Sequence, residues 1–138
     1  MKNFLTTYQE LNADNLHRLD EIYSEKIHFI DPVHEIHGLE RLRSYFAGLY
    51  REVQSISFQF NHPVNVDNEA YLQWLMSLQH PKLQGGHTIV IPGASYLRFT
   101  DNGKVDHHRD YFDLGAMLYE QLPLLGTVIR TLKRRLSS

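Results

Sequence analysis

The stretch His28–Tyr50, HFIDPVHEIHGLERLRSYFAGLY, places a carboxylate at the end of a short apolar strand and follows it with a helix. Ile27, Phe29 and Ile30 lead into Asp31, and Pro32 ends the strand: proline has no N–H for a ladder and holds the preceding residue in an extended backbone. A short hairpin follows. After His37-Gly38 the apolar period changes, with Leu39, Leu42, Tyr45, Phe46 and Leu49 at the three-and-four spacing of an amphipathic helix. A reaction centre and its scaffold are therefore adjacent in this segment.

Working outward, Phe4, Leu5, Tyr8 and Leu11 have helical spacing, and Asn12–Asp14 offers a break and a new N-cap for Leu16, Leu19, Ile22 and Tyr23. Two N-terminal helices are predicted. From Ser55 to Val66 the chain alternates, with Ile56, Phe58, Phe60, Val64 and Val66 on one face and Ser57, Gln59, Asn61 and Asn65 on the other. Asp67-Asn68-Glu69 supplies a turn, and Ala70–Leu78 returns as a strand with Leu72, Trp74, Met76 and Leu78 in phase. A third long strand, His87–Thr100, is interrupted at Pro92-Gly93, a pair that predicts a bulge or bend. Asp101-Asn102-Gly103-Lys104 is a hairpin turn, and the last strand, Val105–Asp113, carries many ionisable groups. A helix over about 116–136 closes the chain. Its apolar seam, Leu122, Leu125, Ile129, Leu132 and Leu136, is expected to pack within the molecule, with Arg130, Lys133, Arg134 and Arg135 at its cation-favouring end.

Strand, Asp-Pro, hairpin, His-Gly and amphipathic helix, in this order, resemble the α+β cone of the nuclear transport factor 2-like superfamily, which includes ketosteroid isomerases and SnoaL-like polyketide cyclases. A second anchor is Tyr96-Leu-Arg-Phe-Thr-Asp-Asn-Gly-Lys-Val105 with Arg109-Asp-Tyr-Phe112, similar to the last hairpin of those families. The resemblance covers nearly the whole chain, residues 1–138, as a single domain. It implies a curved, mainly antiparallel sheet packed on N-terminal helices and enclosing a pocket. It also implies a homodimer joined through the open sheet face, since an exposed apolar face needs a cover. Such folds host enzymes and binders alike.

Composition narrows the function classes. A formal charge of −2 argues against general nucleic-acid affinity, which is built from Lys and Arg on phosphates. The chain has no cysteine, so disulfides and thiolate chemistry are excluded and a reducing compartment is suitable. No signal-peptide region and no apolar run of about 20 residues is present, so a cytoplasmic protein without a membrane span is expected.

Residues two apart share a strand face, so Asp106, His108, Asp110 and Phe112 point one way and His107, Arg109, Tyr111 and Asp113 the other. Matched to the isomerase hairpin, the interior set is His108, Asp110 and Phe112. Asp110 is similar in position to the acid/base Asp of SnoaL-like cyclases, and His108 would tune it or share its proton; alternatively Asp110 belongs to a structural ion pair. Asp31 falls on the Asp that serves as general base in ketosteroid isomerases. The isomerase oxyanion Asp matches Ser95, and its oxyanion Tyr matches near Thr7, with Tyr8 one position on, so steroid isomerisation is not the leading expectation. The implied activity is cofactor-free acid–base catalysis on a small, largely apolar molecule: Asp110, His108 and Asp31 act on it, and Tyr23, Trp74, Phe112, Ser95 and Tyr8 bind it. The alternative is a non-catalytic ligand-binding or dimerisation module. Nine histidines raise the question of a metal held by Asp31, His34 and His37 with His108 and Asp110. Side chains alternate along a hairpin, so His34 and His37 need not both face Asp31, and no metal is expected.

Overall fold

The computed structural model of the protein describes residues 1–81, 84–115 and 123–137. The described elements are α1 (Lys2–Glu10), a 3₁₀ turn (Leu16–Arg18), α2 (Leu19–Ile22), β1 (Tyr23–Ile30), β2 (Glu35–His37), α3 (Leu39–Glu52), β3 (Ser55–Val66), β4 (Glu69–Gln79), a second 3₁₀ turn (Gln84–Gly86), β5 (Thr88–Phe99), β6 (Val105–Phe112) and α4 (Pro123–Ser137). The strands form one open six-stranded sheet in the order β2-β1-β6-β5-β4-β3. Every neighbouring pair is antiparallel except β1–β6, which is parallel.

One face of the sheet is buried. Ile27 and Phe29 of β1, Leu72 of β4, Leu97 of β5 and Val105 of β6 share one core with Phe4 and Tyr8 of α1 and Leu42 and Phe46 of α3, with His108 beside Phe4 and Tyr8, while Trp74, Met76, Leu78 and Ile91 form a second core against Ile56 and Phe58 of β3. The buried residues alternate along each strand except at the start of β6, where a register shift beside Arg98 and Phe99 leaves both Val105 and His108 buried. The predicted hairpin turn at Asp101–Lys104 is present: Gly103 has φ +81° and Thr100 N–H donates to Lys104 O at 2.7 Å. At the other end of the key stretch, Gly38 has φ +95°, a conformation favouring glycine, and passes the chain from β2 into α3.

Several local readings change. Tyr23 is not the end of a helix: α2 is a single turn, and Tyr23 opens β1, paired with Val105. The face assignment of Val64 and Val66 is reversed. Register slips by one residue between Asn61 and Val64, with His62 at φ +52°, so both valines turn to the exposed face. No bulge occurs at Pro92-Gly93, because the β4–β5 register runs unbroken from Glu69↔Arg98 to Gln79↔Thr88. Pairing with β6 stops at Gly93, so Pro92 has only β4 beside it, where a missing N–H is tolerated. In the final helix, residues 116–122, including Leu122, lie outside the described residues. Leu132 and Leu136 are exposed rather than packed inward, and Lys133 pairs with Asp113.

Candidate functional site

Three inward-facing positions on adjacent strands bring polar groups together. Ser95↔Asp110 and Leu97↔His108 are register pairs of β5 and β6, and Phe29↔His108 pairs β1 with β6. The Trp74 indole N–H donates to Ser95 Oγ at 2.8 Å, and the Ser95 hydroxyl donates to Asp110 Oδ1 at 2.5 Å. His108 Nε2 stands 2.6 Å from the same Oδ1, and Tyr23 Oη stands 2.6 Å from His108 Nδ1. Burial pushes the Tyr23 phenol well above its ordinary pKa, as does the nearby Asp110 charge, so it keeps its proton and can donate it to Nδ1. A phenol proton donated to Nδ1 leaves the imidazole's own proton on Nε2, directed at Asp110. His108 is 2% exposed, with Phe4, Tyr8, Tyr23 and Phe29 around it.

Trp74 reaches this network because of Gly93. A Cβ at residue 93 would stand 2.2 Å from the indole Cη2, so only glycine lets the ring lie on the strand and direct Nε1 at Ser95.

Beside the network is a largely apolar cavity of about 100 Å³, walled by Tyr8 of α1, Phe29 of β1, Tyr45, Phe46 and Leu49 of α3, Ile56 and Phe58 of β3, Trp74, Met76 and Leu78 of β4, and Asp110 and Phe112 of β6. Asp31, Val33 and His34, from the β1–β2 turn, complete it. A void of about 10 Å³, the size of one water, adjoins Tyr8, Ser95, His108 and Asp110. Asp110 thus borders both spaces, while the hydrogen bonds above engage its Oδ1 only. Among the described residues Oδ2 has no protein partner. The Tyr8 hydroxyl likewise has none there, and burial pushes its pKa well above the ordinary phenol value, so it is a proton-bearing donor.

Asp31 reaches the same cavity in a different condition. Its Oδ1 accepts from the backbone N–H of Val33 (2.8 Å) and His34 (2.7 Å) and lies 3.2 Å from His34 Nδ1, while Oδ2 accepts from the Tyr45 hydroxyl at 3.0 Å. A carboxylate oxygen offers two acceptor positions, so Oδ1 is fully engaged and Oδ2 keeps one position beside the Tyr45 hydroxyl. Burial first, then the adjacent Asp31 charge, pushes the Tyr45 phenol well above its ordinary pKa. Asp31 shapes the turn and fixes Tyr45.

The structure therefore brings Asp110, His108 and Ser95 into one network, with Tyr8, Trp74, Phe112 and Asp31 on the cavity wall. Tyr23 is elsewhere: its ring stacks behind His108 at 5.9 Å and its hydroxyl is spent on Nδ1. Ser95 borders the small void rather than the main cavity. Sequence reading missed Tyr45 and His34 as wall residues. Tyr45 was placed on the buried face of α3, and its position one turn before Leu49 is what aims it at Asp31. His37 does not join Asp31; it lies on the opposite sheet face, stacked on His28 at 4.1 Å.

A family profile described as SnoaL-like domain matches residues 4–108, more than half of the chain. The chain belongs to the SnoaL-like domain family. No curated protein matches this SnoaL-like chain in sequence. Among solved structures, its fold is similar to TsrD from Streptomyces laurentii, at 18% identity, covering 90% of this chain and 95% of that one with a TM-score of 0.73. It is also similar to a proposed SnoaL-like polyketide cyclase from Shewanella denitrificans OS-217, at 20% identity, 84% and 92% coverage and a TM-score of 0.71. A third similar structure is a protein of ketosteroid isomerase-like fold from Catenulispora acidiphila, solved in complex with trimethylamine, at 13% identity, 86% and 90% coverage and a TM-score of 0.73. At these identities the likeness describes the SnoaL-like fold, an α+β sheet that stays open.

Proposed function

We propose that this SnoaL-like domain binds a small, largely apolar molecule in the cavity between α1, α3 and the sheet, and moves a proton on it without a cofactor. The observation that carries the reading is the position of Asp110. Its Oδ1 is held by Ser95 and His108, and among the described residues Oδ2 has no protein partner beside an apolar cavity. In the proposed step Oδ2 takes a proton from a carbon or hydroxyl of the substrate. Tyr8 donates a hydrogen bond to the oxygen on which charge develops, and Asp110 returns the proton at a second position. Such a cycle serves an isomerisation, an aldol-type closure or a dehydration. His108 and Ser95 orient the carboxyl; Tyr23 and Trp74 orient those two in turn. Asp31 holds Tyr45 and the cavity mouth. The cavity's size limits the reacting portion of the substrate to a few non-hydrogen atoms unless the wall moves.

One observation favours a non-catalytic binding module: among the described residues, every polar side-chain atom fully shielded from solvent and cavity has a hydrogen-bond partner, as in an ordinary structural network. Mass spectrometry of small molecules released from the purified protein, followed by turnover assays on the compound found, separates the two. The catalytic reading expects Asp110→Asn to lower turnover about a hundredfold or more. Unchanged turnover would leave binding alone.

We also propose a homodimer through the exposed sheet face, where Val64, Tyr71, Val90 and Tyr111 are each more than half exposed. The cytoplasm is the proposed compartment, supported by the cysteine-free sequence.

A further inference from the structure

On the sheet face away from the cavity, the β1–β2 hairpin sets two histidines and a carboxylate side by side. His28 and His37 are directly opposed in register, and Ile30 is opposed to Glu35, so all three side chains leave the same face. Their rings stack at 4.1 Å and 17°. Glu35 Oε1 lies 3.0 Å from His28 Nε2 and 3.6 Å from His37 Nε2, and one ligand atom from each of the three lies within 4.8 Å of the others. Among the described residues, no other such group of three is found.

These separations match a known requirement. A tetrahedral zinc ion with bonds of about 2.0–2.2 Å holds its ligand atoms about 3.3–3.5 Å apart. The two separations from Glu35 Oε1 bracket that value, and the two imidazoles, stacked with their planes 17° apart, must turn out of the stack for both nitrogen lone pairs to meet one ion. One carboxylate oxygen, Glu35 Oε1, contacts both imidazoles. Side-chain exposures of 28% for His28, 61% for Glu35 and 66% for His37 leave the site open to solvent, with room for a water as fourth ligand.

We propose that His28, Glu35 and His37 form a binding site for a divalent transition-metal ion of the zinc type, separate from the cavity. Two imidazole nitrogens and one carboxylate oxygen suit zinc, cobalt, nickel or copper; calcium and magnesium call for oxygen ligands. A bound ion cross-links β2, an edge strand of three residues, to β1. The same hairpin ends in the Asp31–His34 turn at the cavity mouth, so the ion also braces that turn.

The test is calorimetric titration of the full chain, carrying no histidine tag, with zinc chloride at neutral pH. Saturable binding of one zinc per chain is expected, weakened at least about tenfold by His37→Ala and by Glu35→Gln. His62→Ala, at an exposed position on β3, should leave binding unchanged. Cobalt(II) in place of zinc should give the intense visible bands of a four-coordinate ion, lost in His37→Ala. His37 is exposed, and a circular-dichroism spectrum confirms that each variant is folded. Absence of saturable binding up to millimolar zinc would overturn the proposal. So would equal binding by the His37→Ala and Glu35→Gln variants, or one zinc per two chains.

Discussion

Replacing Gly93 with alanine tests the packing that supports the site. The added Cβ would stand 2.2, 2.4 and 2.6 Å from Cη2, Cζ2 and Cζ3 of Trp74. Restoring an ordinary carbon contact of about 3.5–4 Å displaces the indole by more than about 1 Å. The ring has little free space: it is 3% exposed and its centroid is 5.6 Å from that of Phe58 and 6.1 Å from that of Phe112. Overpacking of this kind costs about 1–3 kcal/mol, and loss of the Nε1–H to Ser95 hydrogen bond adds about 1 kcal/mol. A total of about 2–4 kcal/mol corresponds to a fall in Tm of about 7–14 °C for a chain of this length. Trp74 is the only tryptophan, so fluorescence-monitored melting reads both the loss of stability and the altered indole environment. Gly48→Ala is the control, because a Cβ there meets nothing closer than the Arg51 guanidinium at 3.9 Å. In the middle of α3 it should stabilise by about 0.5–1 kcal/mol. A Gly93→Ala variant that melts like wild type with unchanged emission would refute the packing argument.

Other outcomes are equally specific. Asp31→Ala removes the acceptor for the Val33 and His34 amides and for the Tyr45 hydroxyl, and should cost about 1–3 kcal/mol in chemical denaturation; an unchanged midpoint would show that the turn does not depend on it. Tyr50, whose pKa is pushed up to about 12 by burial, contributes stability that is fully present below the unfolded phenol value of about 10 and is lost as pH rises toward 12. Denaturation midpoints should therefore fall between pH 10 and 12, and Tyr50→Phe should remove up to about 1.4 kcal/mol per pH unit of that slope. Light scattering at micromolar concentration should give twice the chain mass, reverting to the monomer in Val90→Asp; a wild-type monomer at every concentration would refute the proposed interface.

Much of the fold was legible because alternation and turn chemistry agreed. The β4 phase of Leu72, Trp74, Met76 and Leu78 and the turn at Asp101–Lys104 are as read, and so is the inward set of His108, Asp110 and Phe112. What failed was tied to single-residue events that periodicity does not encode. The extra residue at His62 inverted the faces of Val64 and Val66, and Tyr23 left the helix because β6 offered it a parallel neighbour in Val105. Gly93 was read as a bend, whereas its reason is an indole arriving from β4, a contact invisible along one strand. In the site, the neighbourhood of Asp110 followed from strand parity. The hydrogen bonds that hold Asp31 did not: they depend on how a four-residue turn closes and on the reach of Tyr45 from α3. The His28–Glu35–His37 group was hidden because His37 was weighed with His34 against Asp31 and not against His28 across the hairpin.

The central claim is that Asp110 is a carboxylate presented to the cavity by neutral donors, and not half of a buried ion pair. Thermal melting of Asp110→Asn tests it most directly and requires no substrate. With Tyr23 donating to Nδ1 and His108 donating from Nε2, an asparagine Oδ1 can still accept from Ser95 and His108. The variant should melt within about 3 °C of wild type, a change of about 1 kcal/mol or less. Were His108 instead a buried imidazolium, the substitution would strand its charge and cost about 3–5 kcal/mol, and a fall in Tm of about 10 °C or more would contradict the account.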